Sequence, residues 1–419
     1  MRCATGPRTA EVPPRTRHSS HVRGPPPARK AVEGGLAHGR VPWPPPVFRR
    51  SSDRLDVTVI ASLLSAQLPA PHRPCGPAEV PGLSAIVLAA GEGRRLRPLT
   101  ETLSKPLVPV LNIPLLYWNV VLLRGLTGRI AVNASHLAHQ LSHAAALLGQ
   151  RLAGAPAVVE EPVLSGPAGG MLAARRALPG STDLLVVSGD ALIGEDHRDL
   201  VAAHRSSRAD LTIAAQPVDD PQRFGVLALD GAEVVGLLEK PSDAPPGSVV
   251  SCGMYVIGDR AAGRLRPEPG TLYDFKHAVP ELLAAGLSVR AHVQSGHWSD
   301  IGDLAAMHAA NLFALRSGLL ERAATRGTDP DGAWTQGPVT TCGDLHVSGP
   351  VCLGFDARIG PGCVVERSVV GPHTQIGAGS RIRDAVLLPG ARVPPGADIA
   401  HAVVTGDHVL PVLRETALT

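Results

Sequence analysis

The 419-residue sequence lacks several features, and each absence narrows the field. No stretch approaches the roughly 20 consecutive apolar residues of a membrane span, so the sequence predicts no membrane association. The six cysteines (Cys3, Cys75, Cys252, Cys342, Cys352 and Cys363) form neither a CxxC nor any ligand-spaced cluster. That pattern argues against a zinc ribbon or a disulfide scaffold and for a reducing, cytoplasmic setting. A GxxxxGK[ST] phosphate loop is missing, as is the third glycine of a dinucleotide fingerprint. Charge of one sign is not in excess either. The net charge of +3 is unevenly spread: residues 1–80 hold 12 Lys/Arg and 5 Asp/Glu, which leaves 28 against 32 in the remainder. That remainder is mildly acidic and carries no nucleic-acid footprint.

What is present divides into four parts. Residues 1–82 are rich in proline and arginine, including Pro25-Pro26-Pro27 and Pro44-Pro45-Pro46, and lack spaced apolar residues that could offset chain entropy. They read as a disordered extension without function, as a mis-assigned start would give; after Met1 the next methionine is Met171. Arg49-Arg50 before Val57–Leu68 is too short and too distant a pattern for an export signal. From 83 to 315, short apolar runs (84–90, 129–134, 156–160, 183–190) alternate with helical periods (115–126, 136–149, 168–178). Alternation of that kind predicts an α/β, Rossmann-like sheet covered on both faces. Residues 224–241 read instead as a hairpin about Asp230-Gly231, which makes the sheet mixed. Residues 316–349 read as a linker.

Beyond 350, apolar residues recur every six positions at Leu353, Ile359 and Val365, then after a five-residue step at Val370, Ile376, Ile382 and Leu388, then at Val393 and Ile399. A hexad with one inward aliphatic predicts a short left-handed parallel β-helix over 350–410, of about three coils.

The stretch LAAGEGRRLRPLTETLSKPL (88–107) joins the end of the first apolar run to a basic, glycine-bearing loop. Gly91 and Gly93 allow backbone N–H groups to approach phosphate oxygens, Arg95 can fork two oxygens, and Lys105 supplies a point charge. Such a loop at the carboxyl end of a first strand is where open α/β sheets bind ligands. His136, His139 and His143 have metal-compatible spacing but read as a polar helix face. His373 within the repeats is too isolated to argue for acyl transfer.

Leu88 to Val110 resembles the signature of the sugar-1-phosphate nucleotidyltransferases, whose pattern runs GGxGTRLxPLT…KPL. EEPVLSGPAGG (160–170), VVSGDAL (186–192), FGVLALD (224–230), EKP (239–241), SCGMYVI (251–257) and GHWSDIGD (296–303) follow in the family's order. With the hexads, the resemblance covers about 83–410. It implies transfer of a nucleotidyl group from an NTP to a sugar 1-phosphate with release of pyrophosphate, with GTP and mannose 1-phosphate favoured. The alternatives are thymidylyl or uridylyl transfer to glucose 1-phosphate, or a catalytically silent regulator that binds NDP-sugar. The resemblance further implies Arg95, Lys105, Asp190 and Asp300 as catalytic, with Asp190 and Asp300 also holding Mg²⁺. It assigns Ala89, Ala90, Gly91, Gly93, Glu161 and Gly166 to the nucleotide, and Gly225, Glu239, Lys240 and Gly253 to the sugar phosphate. Homo-oligomerisation through the β-helix is expected. Taken singly, Asp190 would read as a turn residue and Asp300 as a helix N-cap. Four positions depart from the family pattern: Arg94 for Thr, Ala90 for Gly, Pro167 for Thr and Ser251 for Asn. The roles of Arg94 and Pro167 are open at this point.

Overall fold

The apolar runs form strands because their alternate side chains meet two separate cores. A computed structural model describes residues 79–152, 154–194, 197–268, 270–326 and 333–412, so the predicted extension lies outside the described residues up to 78. Nine strands build the main sheet: β1 Leu83–Leu88, β2 Ile130–Ala134, β3 Ala157–Glu160, β4 Asp183–Ser188, β5 Leu211–Val218, β6 Gly225–Asp230, β7 Glu233–Glu239, β8 Ser248–Gly258 and β9 Val289–Val293. Their order is β3-β2-β1-β4-β8-β5-β9-β7-β6. The first four are parallel, and β8 runs antiparallel between β4 and β5. The sheet is therefore mixed, as the hairpin pattern predicts. Gly231 turns that hairpin with φ 60°.

Within β1, Ala85 and Val87 join one core with the helices Leu115–Arg124 and Ala138–Arg151, whereas Ile86 joins another with the helix Pro167–Arg175. β4 alternates likewise, Leu185 and Val187 against Leu184 and Val186. The strand period of two thus sorts each run onto both faces, and the sheet is buried between helices.

The C-terminal part is a parallel β-helix, in keeping with the left-handed hexapeptide form expected. Its three faces are ladders of parallel strands, and successive coils pair Trp334 with Cys352, Cys352 with Val369, Val369 with Val386 and Val386 with Val403. Each coil thus advances 17 or 18 residues, three hexads with one residue dropped in most turns. The position in register with Val370 is Leu387, one residue before the Leu388 of the sequence pattern, and both are buried.

The predicted linker 316–349 needs correction. Its later part, Trp334–Thr335, Thr340–Thr341 and Leu345–Ser348, is the first coil, which makes four coils rather than three. The hexad was hidden there because Thr335 and Thr341 stand in register with Leu353 and Ile359, so hydroxyls occupy the places of the aliphatics.

The β-helix is stitched to the α/β part. The hairpin Pro109–Val110/Ile113–Pro114 presents Asn112, whose amide donates to Gln336 Oε1 (2.9 Å) and the Val370 carbonyl (3.0 Å). Gln336 returns a bond to the Leu111 carbonyl (2.7 Å), and Asn311 of the helix Leu304–Arg316 donates to the Pro109 carbonyl and accepts from Leu111 N, in the hairpin's first strand and its turn. From the same helix, His308 Nε2 donates to the Asp384 carbonyl at 2.6 Å. The Asp384 carboxylate accepts two bonds from Arg367, at 2.8 and 2.7 Å.

The Arg367 hydrogen bonds, aided by the charges of Arg367, His401 and Arg316, hold the Asp384 carboxyl below its ordinary value against the opposing effect of burial. A depressed carboxyl contributes stability that is present above the unfolded value of about 3.9 and lost as pH falls through the folded one. Asp384→Asn should therefore lower stability near pH 7 by about 1–2 kcal/mol, and the gap to the native chain should begin to narrow near pH 4 and close only as pH falls through the depressed folded value. Denaturant titrations at pH 7, 4 and 2.5 follow it; a gap that stays constant over the three contradicts the account.

Candidate active site

β1 and β4 are adjacent and parallel, with Leu88 opposite Ser188, so both deliver their following loops to one edge of the sheet. Gly189 N donates to the Leu88 carbonyl at 2.8 Å, and a Cβ at Gly189 would lie 2.7 Å from that oxygen. Only glycine fits this approach, and it turns the chain so that Asp190 stands over the sheet edge.

The segment Trp298–Asp300 pairs antiparallel with Ala191–Ile193, Asp300 opposite Ala191, and Ile301 N donates to the Asp190 carbonyl at 2.9 Å. A two-strand ladder thus brings together carboxylates 110 positions apart in the chain. Asp300 is not an N-cap: the helix Leu304–Arg316 is capped by Asp303, which accepts from Ala306 N at 2.9 Å.

Lys105 lies in the turn Lys105–Leu107, almost buried, and its ammonium donates to Asp190 Oδ2. Gly93, at φ 65°, lets the loop lie on the Lys105 stem: a Cβ there would be 3.2 Å from Lys105 Cβ and 2.9 Å from Thr100 Cγ2. Thr100 Oγ1 donates to the Gly93 carbonyl at 2.7 Å, and Gln140 holds the other side of the loop through Ser104 N and the Thr102 carbonyl. Arg95 reaches the second carboxylate strand. A Cβ at Gly302 would lie 2.7 Å from Arg95 Nη2 and 3.1 Å from Asp300 Oδ2, so guanidinium and carboxylate share the space this glycine leaves open.

The two carboxyls differ. Burial pushes Asp190 up, but the Lys105 charge and hydrogen bond, with a further bond from the Ser188 hydroxyl, outweigh it and hold the group low. Asp300 is pushed up by burial and by the negative charge of Asp190, which exceed the opposing effects of Lys105, Arg95 and Arg223. One acid is neutralised and the other carries unrelieved repulsion.

The residues expected at the nucleotide fall into two groups. Ala89 to Gly93 line the loop above this cluster, with Ala89 N donating to Asn133 Oδ1 at 2.6 Å. Glu161 is turned inward: it accepts from the Asn133 amide and from the backbone and hydroxyl of Ser165, and is 6% exposed. Its place is as a brace between β2 and the 161–166 loop. Gly166, at φ 82°, lies against the Tyr273 backbone.

Gly225, Glu239 and Gly253 line a pocket of about 100 Å³ with Ser251, Tyr255, Asp274 and Lys276. A Cβ at Gly253 would lie 3.2 Å from Ser188 Cβ, which places this pocket beside the Asp190 support. Lys240 is not in its wall; it is mostly exposed and pairs with Glu239 at 3.1 Å.

Three departures gain a place. Arg94 is exposed and paired with Glu92 at 2.7 Å. Pro167 opens the helix Pro167–Arg175, where an absent N–H costs nothing. Ser251 Oγ donates to Tyr255 Oη at 3.1 Å and accepts from Gly253 N at 3.3 Å, at the irregularity in β8. Sequence reasoning missed Asn133, Ser188, Asp274, Lys276 and Gly302. The buried Asn at the end of the apolar run IAVNA was a legible signal; the others depend on the pairing of distant segments.

A glycine-turned basic loop, a buried Lys–Asp pair and a second carboxylate at a parallel-sheet edge define a site for a phosphate-bearing ligand. A family model described as nucleotidyl transferase matches residues 84–317, and a GlmU-like C-terminal hexapeptide model matches 351–414. The chain belongs to the nucleotidyl transferase family and is an enzyme of that kind. Among its relatives is mannose-1-phosphate guanylyltransferase of Mycobacterium tuberculosis, 31% identical over 75% of this chain and 82% of that protein. Another is glucose-1-phosphate thymidylyltransferase of Streptomyces griseus, 30% identical over 78% of this chain and 93% of that one. A crystal structure of a putative glucose-1-phosphate thymidylyltransferase from Bacillus anthracis, in complex with a sucrose, matches with TM-score 0.50 and 25% identity, covering 55% of this chain and 95% of that one.

Gly302→Ala tests the space that Arg95 and Asp300 share. The added methyl meets the far end of the Arg95 side chain and crowds the Asp300 carboxylate, so stability should change by less than about 1 kcal/mol. Displacing Arg95 should slow turnover about 100-fold. Thermal unfolding and a pyrophosphate-release assay test the pair; unaltered turnover contradicts the assigned contact.

Proposed function

We propose that this enzyme transfers a nucleotidyl group from an NTP to a sugar 1-phosphate, with GTP and mannose 1-phosphate as its substrates. The observation that carries the reading is the cluster of Lys105, Asp190, Asp300 and Arg95 between the glycine loop and the polar pocket of Gly225, Glu239 and Gly253. An oxygen of the sugar phosphate, already ionised near neutral pH, attacks the α-phosphorus. A bond to that oxygen forms, the bond to the β-phosphate oxygen breaks, and pyrophosphate leaves. No protein nucleophile is required, so the residues act by position and charge.

In this reading Arg95 balances charge on the departing pyrophosphate and Lys105 that on the transferring phosphoryl group. Backbone N–H groups of Ala90 to Gly93 hold the triphosphate, on a loop that the Ala89 bond to Asn133 fixes. Glu239 and Ser251 accept from or donate to sugar hydroxyls, and Lys240, outside the pocket wall, guards its rim. The carboxylates fit Mg²⁺: they are hard oxygen donors, and the unrelieved repulsion on Asp300 is what a dication removes. Asp190 and Asp300 would hold the ion, with phosphates and water completing its shell, and it would supply further charge neutralisation.

The relatives support a sugar-phosphate substrate, and the guanylyltransferase name among them supports GTP and mannose 1-phosphate. Thymidylyl or uridylyl transfer to glucose 1-phosphate is the alternative, supported by other relatives. A silent regulator is disfavoured because all four charged residues are present and assembled. We also read the β-helix as the surface of a homo-oligomer in the cytoplasm. No helix among the described residues is long and apolar enough to cross a membrane.

Pyrophosphate release measured over four NTPs with mannose and glucose 1-phosphates should give the highest kcat/KM for GTP with mannose 1-phosphate. No turnover with any pair overturns the reading, and preference for dTTP or UTP with glucose 1-phosphate selects the alternative. Lys105→Ala should cost about 10²- to 10³-fold in kcat. Chelation should abolish turnover and Mg²⁺ restore it. Light scattering that gives the mass of one 43.5 kDa chain would contradict the oligomer.

A further inference from the structure

A second cavity has none of Arg95, Lys105, Asp190 and Asp300 in its wall. An open cleft of about 640 Å³ runs along the helix Leu304–Arg316 where it meets the β-helix. Basic groups enter it from three parts of the chain: Arg223 from the turn Pro221–Arg223, His308 and Arg316 from the helix, and His401 from the β-helix. The acids that face it are Asp303 and Asp384, and both are engaged. Asp303 caps the helix, and Asp384 is held by both forks of Arg367. Arg316 is left with a long contact of 3.9 Å to Asp384, and Arg223 with contacts of 3.4 Å to Asp303 and 3.9 Å to Asp220. Between them the wall is apolar, formed by Ala309, Leu312 and the Phe313 ring stacked on His297.

An arginine with weakly engaged charge at either end of an apolar trough suits a phosphate attached to an organic body. The volume is that of small-molecule sites, which combine an apolar wall with a few polar anchors. The helix rises about 18 Å from Leu304 to Arg316, so one phosphate cannot reach both arginines. We propose that the cleft binds a phosphorylated small molecule of nucleotide size as an effector. Its phosphate sits at the Arg316–His401 end and its ring or sugar lies along Leu312 and Phe313 toward Arg223.

The position of the cleft supplies a route to the chemistry. The helix cap Asp303 directly follows Asp300-Ile301-Gly302, and Gly302 is the residue that seats Arg95. A ligand that tilts the helix against the β-helix therefore moves the carboxylate and the arginine seat together. This coupling rests on the proposed roles of Asp300 and Arg95; the binding site does not.

Hydrogen exchange on the full chain reads binding without turnover. The probes are inorganic phosphate, GMP, AMP and mannose 6-phosphate, which separate free phosphate, nucleotide and sugar-phosphate sources. One organic probe should slow exchange in peptides spanning 304–316 and 384–401 and change the rate of pyrophosphate release at least twofold. Arg316→Ala should raise its half-saturating concentration at least tenfold, and Ala309→Phe, which fills the trough, should abolish the protection. Both variants should keep the rate of the unliganded enzyme. The proposal is overturned if no organic probe protects these peptides, if protection is confined to 88–107, or if it survives both variants. Loss of pyrophosphate release with intact protection would count against the reaction assignment alone.

Discussion

The buried ion pair between Lys105 and Asp190 is the constraint on which the site depends. A nearly buried ammonium and a partly buried carboxylate offset each other's desolvation only while they stay together. The pair therefore pins the glycine loop to the end of β4. Because the backbone of Asp190 also binds Ile301, the same point anchors the strand that carries Asp300. Loop, sheet edge and second carboxylate form one unit, and none can shift alone.

That unit is electrostatically unbalanced in a useful way. Asp190 has its counter-ion within the protein, while on Asp300 burial and the like charge of Asp190 exceed what Lys105, Arg95 and Arg223 offset. A site of this kind is prepared for added positive charge and for phosphates that bring their own negative charge with it. Catalysis by position and charge needs such preorganisation, because nothing has to reorient when charge develops on the transferred group.

Much of this was legible in the sequence, for identifiable reasons. The runs at 84–90 and 183–190 read as strands because both faces are buried and no polar alternation interrupts them. Lys105, Arg95 and the two aspartates stood out through their neighbours in the motif rather than through any property of their own. What stayed hidden depends on juxtaposition. Nothing in Ser-Asp-Ile-Gly announces that Gly302 makes room for a guanidinium. Glu161 could not be known to face inward until Asn133 and Ser165 were seen to occupy it. The first β-helix coil escaped notice because register is carried by the backbone ladder, which tolerates Thr335 and Thr341 where the pattern asks for aliphatics.

The buried clamp of Asn112 and Gln336 bears on how the two parts of the molecule are related. The hairpin that carries Asn112 begins two residues after the turn Lys105–Leu107, so the β-helix props Lys105 from behind. A chain cut before residue 334 would leave the Leu111 carbonyl and the Asn112 amide without these partners and would bare the wall that Cys352, Val369 and Val386 cover. The repeat tail and the hairpin have to change in concert. A graft of this tail onto another nucleotidyltransferase core would transfer cleanly only with residues 109–114 included.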